Sequence, residues 1–344
     1  MTDKMIILHI AQLPPAGPLT SAVYERRTLP LPEIRDRECL LRVIYLSVDA
    51  GSRGMLDQAS PYVRKLKAGD VAGGSGCVAE VIASRHPEYP RGTFVATMFA
   101  SWQSHLVVAP DKMGPLLYTV DPALAPLSAY VGILGVTGFT AYAGVFLTVP
   151  LKAGETAVIS AASGAVGSAA GQFAKIAGAR VIGITGGTDK FEYLKSLGFD
   201  ACVDYRTDLS GALRAACPDG IDFYFENVGG EVQRAVFALM RDFGRMAFCG
   251  QIAQYSGEGE PSGPNLMNVV LKRLTLKGFL CLPDSQDHYA EFFTRACEWY
   301  RSGRLRQHTA ITEGLENAHE AVNALISGRH LGKQVIRVAR DPTR

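Results

Sequence analysis

The chain has 344 residues, 47% hydrophobic and 20% charged, with a formal net charge of +2. That length exceeds what one hydrophobic core usually organises and predicts two domains. The dispersed, nearly balanced charge excludes a nucleic-acid partner. Seven cysteines (Cys39, Cys77, Cys202, Cys217, Cys249, Cys281, Cys297), never spaced C-x-x-C, exclude a disulfide framework and a cysteine-built zinc site; they predict reduced thiols in the cytoplasm.

The first apolar run, Met5–Ile10, is too short for a signal segment. Residues 1–120 read as β-rich, with runs at Met5–Ile10, Cys39–Val48, Gly76–Ile82, Thr93–Met98 and His105–Val108 separated by Pro, Gly and Asp clusters, as in an antiparallel barrel-like fold. Pro122–Leu151 carries no charge and is long enough to cross a bilayer. Gly132, Gly135, Gly138 and Gly144 interrupt it, so it is read as two small-residue helices of a soluble protein with no membrane partner.

From Thr156 the texture alternates. Strand Thr156–Ser160 leads through Ala162-Ser163-Gly164-Ala165-Val166-Gly167 into an Ala-rich helix ending near Gly178, and strand Arg180–Thr185 closes the unit. This β-turn-α-β layout sets a helix N-terminus against a dinucleotide pyrophosphate. Ala162 stands where the first glycine of G-x-G-x-x-G would be. Gly167, Gly171, Ala174 and Gly178 share one helix face, which lets the helix sit close on a sheet. Further strands are expected at Ala201–Tyr205, Asp222–Asn227, Arg245–Cys249 and Leu274–Phe279, with helices Lys190–Leu197, Leu209–Ala216 and Glu231–Met240 among them. Six strands with helices between them make a doubly wound parallel sheet, hence an α/β fold. Helices His288–Ser302 and Leu315–Ser327 and a last strand, Lys333–Val338, complete the chain; that strand is expected to return to the first domain.

NAD proteins place a carboxylate after the second strand to grip the ribose 2′-hydroxyl. Here that strand runs into Gly186-Gly187, followed by Thr188, Asp189 and Lys190. A missing acid and an added ammonium favour a 2′-phosphate, and so NADP. A solvated helix lysine is the plain alternative for Lys190, and Asp189 is placed to reach the ribose itself. Tyr205 offers the phosphate a hydroxyl. Asn227 ends the fourth strand; its amide suits the nicotinamide ribose, and Asn-Val-Gly-Gly equally suits a turn with positive φ. Tyr255, in the loop after Cys249-Gly250-Gln251-Ile252, carries a phenol that stays protonated at neutral pH and can donate to a carbonyl oxygen as charge builds on it.

With Ala161–Gly167, Lys190, Tyr205, Glu226-Asn-Val-Gly-Gly230 and Cys249–Tyr255 in register, the chain resembles the zinc-free medium-chain dehydrogenases/reductases. Within them it resembles the leukotriene B4 dehydrogenase/prostaglandin reductase group, with its 2-alkenal and curcumin reductases. Leu46-Ser-Val-Asp49 with Arg53-Gly54, Trp102-Gln103, Gly132-Ile-Leu-Gly135 and Gly332-Lys333 match the same group.

The resemblance implies a GroES-like β-rich domain (1–122), a Rossmann NADP-binding domain (123–305) and a C-terminal segment (306–344) that rejoins the first domain, in a homodimer. It also implies NADPH-dependent reduction of the C=C bond of α,β-unsaturated ketones and aldehydes by hydride transfer to the β-carbon. A quinone reductase of the same superfamily and a low-turnover NADPH-binding protein are the alternatives. Carried over residue by residue, Gly164, Ala165, Val166 and Gly167 hold the pyrophosphate, and Gly186, Lys190 and Tyr205 the 2′-phosphate end. Asn227, Cys249, Gly250, Ile252, Phe279, Cys281 and His330 line the rest of the cofactor. Tyr255 is the catalytic hydroxyl, bonding the substrate or the nicotinamide ribose, and Ser52 and Arg53 contact substrate with it. No Gly-His-Glu, no cysteine in Leu46–Arg53 and no four-cysteine lobe occur, so no metal is expected. The chain departs from the group at Ala50-Gly51-Ser52, where Pro-Tyr-Met is usual, and at His330 and Ser256, where asparagine is usual.

Overall fold

The computed structural model describes residues 4–58, 65–255 and 263–344; Ser256 lies outside them. In chain order the strands are β1 (Lys4–Ile10), β2 (Tyr24–Pro30), β3 (Cys39–Ser47), β4 (Gly73–Ser84), β5 (Phe94–Ser101), β6 (His105–Val108), β7 (Leu117–Thr119), β8 (Thr156–Ile159), β9 (Arg180–Thr185), β10 (Ala201–Asp204), β11 (Ile221–Glu226), β12 (Met240–Phe248), β13 (Thr275–Gly278), β14 (Thr309–Glu313) and β15 (Lys333–Arg337). The chain divides into two compact units, Met1–Gly135 with Thr309–Arg344, and Val136–His308. The sequence-based boundaries were 122/123 and 305/306.

The first unit is built on a sheet of order β14-β15-β3-β4-β5-β7, with β6 paired to β3 and a separate hairpin of β1 and β2. β3, Cys-Leu-Leu-Arg-Val-Ile-Tyr-Leu-Ser, is buried almost throughout because it is central to that sheet. Its one charge, Arg42, stands opposite Glu80 in the β3/β4 register and pairs with it. β15 pairs antiparallel with β3, so the C-terminal strand joins this unit. Lys333 on β15 is 1% exposed; its ammonium donates to the Val48 carbonyl (3.1 Å) and pairs with Asp49. A buried charge needs such partners, and these fix the chain between β3 and the short helix Gly51–Gly54.

The second unit carries a six-stranded sheet of order β10-β9-β8-β11-β12-β13, with every neighbouring pair parallel. This is the doubly wound order, reversing direction between β8 and β11. The core residues of β8, β9 and β11 are fully buried or nearly so, as expected when helices cover both faces. Phe139, Tyr142, Phe173, Phe292 and Trp299 pack as edge-on and tilted rings, clamping helix Tyr289–Arg301 and helix Val136–Tyr142 against helix Ala165–Ile176. The uncharged stretch Pro122–Leu151 resolves into a 3₁₀ segment (Leu127–Val131), helix Val136–Tyr142 and a π-helical segment (Ala143–Thr148). Among the described residues no helix is long and apolar enough to cross a membrane.

Candidate functional site

The parallel sheet points all its carboxyl ends one way, and the chain leaving them carries most of the expected site. After β8, Ser160 is fully buried, Ala161 takes a left-handed conformation (φ 47°) and the Ala162 N–H donates to the Ile184 carbonyl (2.9 Å). The left-handed residue of this turn is therefore Ala161, not Ala162 at the fingerprint's first-glycine position. Gly164 is the N-cap of helix Ala165–Ile176 and no side chain caps it. The first-turn N–H groups of Ala165, Val166 and Gly167 have no intrahelical acceptor and suit an anion. Gly167 cannot be larger: a Cβ there would collide with the Ala161 carbonyl oxygen and stand 2.9 Å from the Ala162 Cα. The turn thus has the bare backbone that a pyrophosphate needs.

At the next exits, β10 runs parallel to β9 with Asp204 opposite Thr185. Continuing that register sets Tyr205 beside Gly186, and a Cβ on Gly186 would lie 2.8 Å from the Tyr205 ring. Tyr205 is 51% exposed. Lys190 ends the 3₁₀ turn Thr188–Lys190 and is only 8% exposed, which rules out a solvated surface lysine. Burial lowers its pKa; Arg206 acts in the same direction, while Asp189 and Asp204 oppose it.

β11 ends on Glu226, one residue before the expected end, and Glu226 organises the turn beyond it. Its Oε1 accepts from the Tyr224 hydroxyl (2.9 Å) and from the N–H groups of Val228 (2.6 Å) and Gly229 (3.0 Å), while Oε2 is buried without a partner. Burial raises its pKa against those bonds. The Asn227 amide donates to the Ser160 carbonyl (2.8 Å), tying β11 to β8, and its backbone carbonyl accepts from Ile252 (3.0 Å). Positive φ falls on Gly229 and Gly230, so Asn227 is not the left-handed turn residue.

Both Cys249 and Gly250 donate backbone N–H groups to the Glu226 carbonyl (2.9 and 3.1 Å). The turn Ile252–Gln254 then folds Tyr255 back, so that its hydroxyl oxygen lies 3.1 Å from where a Cβ on Gly250 would stand. Burial, then the neighbouring Cys249, raises the Tyr255 pKa, and the phenol keeps its proton at neutral pH. Phe279 is buried edge-on to Phe225, and the Cys281 thiol accepts from the Thr140 hydroxyl (3.1 Å). Burial pushes both the Cys249 and Cys281 thiols up.

Three expected residues belong to the first unit. Ser52 and Arg53 sit on helix Gly51–Gly54, 5% and 4% exposed. Arg53 donates one Nη to the Pro15 carbonyl (3.3 Å); its other Nη and the Ser52 hydroxyl are buried without partners. Tyr24 adjoins Arg53, whose charge opposes the rise that burial imposes on the phenol. His330 Nδ1 reaches the Ala324 carbonyl (3.2 Å), closing the end of helix Ala318–Ile326. Sequence reasoning missed two residues: Glu226 as the hub under Asn227, and Arg206, one step beyond Tyr205. The parallel β9/β10 register is the signal that finds Arg206.

The model described as the N-terminal domain of oxidoreductase matches residues 9–116, and the one described as zinc-binding dehydrogenase matches residues 165–297. Among the described residues no three His, Cys, Asp or Glu side chains gather in a group that could hold a metal ion. Prostaglandin reductase 1 of Mus musculus is 39% identical, over 92% of this chain and 94% of its own. The NADPH-dependent curcumin reductase of Escherichia coli is 38% identical, over 88% of each. The crystal structure of CurA in complex with NADPH from Vibrio vulnificus superposes with a TM-score of 0.89 at 34% identity, covering 98% of this chain and all of that one.

Proposed function

The chain belongs to the medium-chain dehydrogenase/reductase family, among its prostaglandin, curcumin and 2-alkenal reductases, and from that premise we propose that it reduces the C=C bond of enals and enones with NADPH. It is an enzyme and its cofactor is NADP. When bound, NADPH supplies the hydride that adds to the β-carbon. The observation carrying the proposal is the placement of Tyr255: a protonated phenol folded over Gly250, at the same sheet edge as the bare turn Gly164–Gly167.

The N–H groups of Ala165, Val166 and Gly167 hold the pyrophosphate against the helix N-terminus. Lys190 and Tyr205, beside Gly186, hold the 2′-phosphate; burial of Lys190 lowers the dielectric around its charge and strengthens that contact. Cys249, Gly250, Ile252, Phe279 and Cys281 supply a largely apolar wall at the nicotinamide end, with Asn227 holding the strand ends in place. The Tyr255 hydroxyl donates to the substrate carbonyl oxygen as the enolate charge builds, which lowers the barrier without a metal. Within the first unit, Ser52 and Arg53 keep buried donors without partners, and His330 is tied to the Ala324 carbonyl.

In this proposal the chain comprises a GroES-like domain with a returning C-terminal segment and a Rossmann domain. Seven free thiols support a cytoplasmic enzyme. Exposed Leu266, Met267, Val270, Leu271 and Leu280 flank β13, the edge strand of the parallel sheet, and support a homodimer joined there.

The test is purified protein with NADPH and a panel of 2-alkenals, enones and quinones. NADPH consumption with a saturated carbonyl product, unaffected by chelator, is expected. Hydroquinone formation without alkene reduction supports a quinone reductase instead. Tight NADPH binding with no turnover across the panel supports a binding protein.

A further inference from the structure

The β9/β10 register that sets Tyr205 beside Gly186 carries one residue further. Arg206 falls beside Gly187, and its guanidinium occupies the space that a Gly187 side chain would take. Gly187 has φ 95°, so this open face is one that other residues rarely provide. Asp204 holds the arginine in place: its Oδ1 accepts from the Arg206 backbone N–H (3.0 Å) and lies 3.4 Å from Nε. The Asp204 side chain is 12% exposed and the Arg206 side chain 55%, so the carboxylate turns inward while the guanidinium faces water. Bonds from the Arg206 and Gly187 backbone keep Asp204 ionised.

We propose that Arg206 is a specificity-determining residue that, together with Lys190, clamps the adenosine 2′-phosphate of NADP, with Asp204 as its positioning residue. Two cations of different kinds meet at this corner. Lys190 is a buried point charge, and Arg206 a planar fork matched to two phosphate oxygens. Asp189 also reaches the open face of Gly187. It works against a phosphate, and a single ammonium beside it would give weak discrimination. With Asp204 bonded inward, Arg206 supplies the second positive charge that a dianionic phosphate requires.

This inference rests on the NADP reading above, and the experiment separates the two. Full-length wild type, Arg206→Gln and Arg206→Lys are titrated with NADPH, NADH and adenosine 2′,5′-bisphosphate by calorimetry, and their melting temperatures are measured. Arg206→Gln is expected to weaken NADPH and the bisphosphate by about ten- to a hundredfold, in line with loss of charged hydrogen bonds. NADH should change by less than about twofold, since neutral ribose contacts are untouched. Arg206→Lys should fall between, and the salt dependence of NADPH binding should flatten in Arg206→Gln. A Gln variant that melts like wild type yet keeps the wild-type ratio of NADPH to NADH affinity overturns the role of Arg206. So does one that loses both cofactors equally. A wild type without NADPH preference overturns the NADP reading, and this inference with it.

Discussion

In the function proposed above, the turn after β8 and the corner after β9 and β10 share one cofactor, yet they are made of different material. At the first, binding is a property of the backbone: Gly167 packs so closely on Ala161 that no side chain fits. At the second it would be a property of side chains, with Tyr205 against Gly186, Arg206 and Asp189 against Gly187, and Lys190 close enough to feel the Arg206 charge. A backbone site is all-or-none with respect to substitution, whereas a side-chain site can be tuned one charge at a time. On that proposal the first holds what NADPH and NADH share, and the second what distinguishes them.

Gly167→Ala tests the backbone half most severely. The clash is with main-chain atoms, so the helix must move, at about 1–3 kcal/mol of stability. NADPH and NADH binding should fall together by more than about a hundredfold, since the oriented N–H groups move with the helix. Selective loss of one cofactor would show that the turn also discriminates. Tyr255→Phe removes one donor at a third exit, and kcat for an enone should drop by about a hundredfold with NADPH affinity little changed. An unchanged kcat would remove Tyr255 from the chemistry.

Lys190→Ala should weaken NADPH by about tenfold or more and NADH only slightly. Equal losses would mean that Lys190 supports the fold rather than the phosphate. The smallest effect is expected under Asn227. Native Glu226 has a raised pKa, so its stabilising contribution is complete below the ordinary value of 4.5 and declines as pH rises through the raised one. Glu226→Gln cannot ionise. Its Tm should therefore gain on wild type by about 2–4 °C as pH climbs through that window. A parallel pH profile would show that Glu226 is already neutral or already satisfied throughout.

The sequence is most legible where local rules act alone. Helix Leu209–Ala216 lies where it was expected because Asp208 caps it, accepting from the Gly211 N–H (3.0 Å), and its apolar stripe is clear. The six strands of the parallel sheet are legible from their alternation with helices, and β8, β9 and β11 also as buried apolar runs, whereas β13 is largely exposed. β2, Tyr-Glu-Arg-Arg-Thr-Leu-Pro, was not, because it is exposed along nearly its whole length and is a strand only through its pairing with β1. β12 begins at Met240, five residues before its expected start, and Phe243 within it takes φ 62°. No local pattern signals such an irregular extension. At the site, the motif glycines and Lys190 could be found from spacing. Arg206 and the hub role of Glu226 depend on which strands lie side by side, and a linear pattern does not carry that.

Gly171 sits midway along the helix that begins at the cofactor turn, and the Phe199 ring fills the space its side chain would take. The same ring lies 2.9 Å from where a Cβ on Gly183 of β9 would stand. One phenyl group is therefore a key cut into two parts at once, and it stops the helix from sliding or turning on the sheet. The alignment of the helix N-terminus, and with it the direction in which three N–H groups aim, is set by a residue outside the turn. Trimming that key to a leucine would change no residue of the turn and still put the turn out of true.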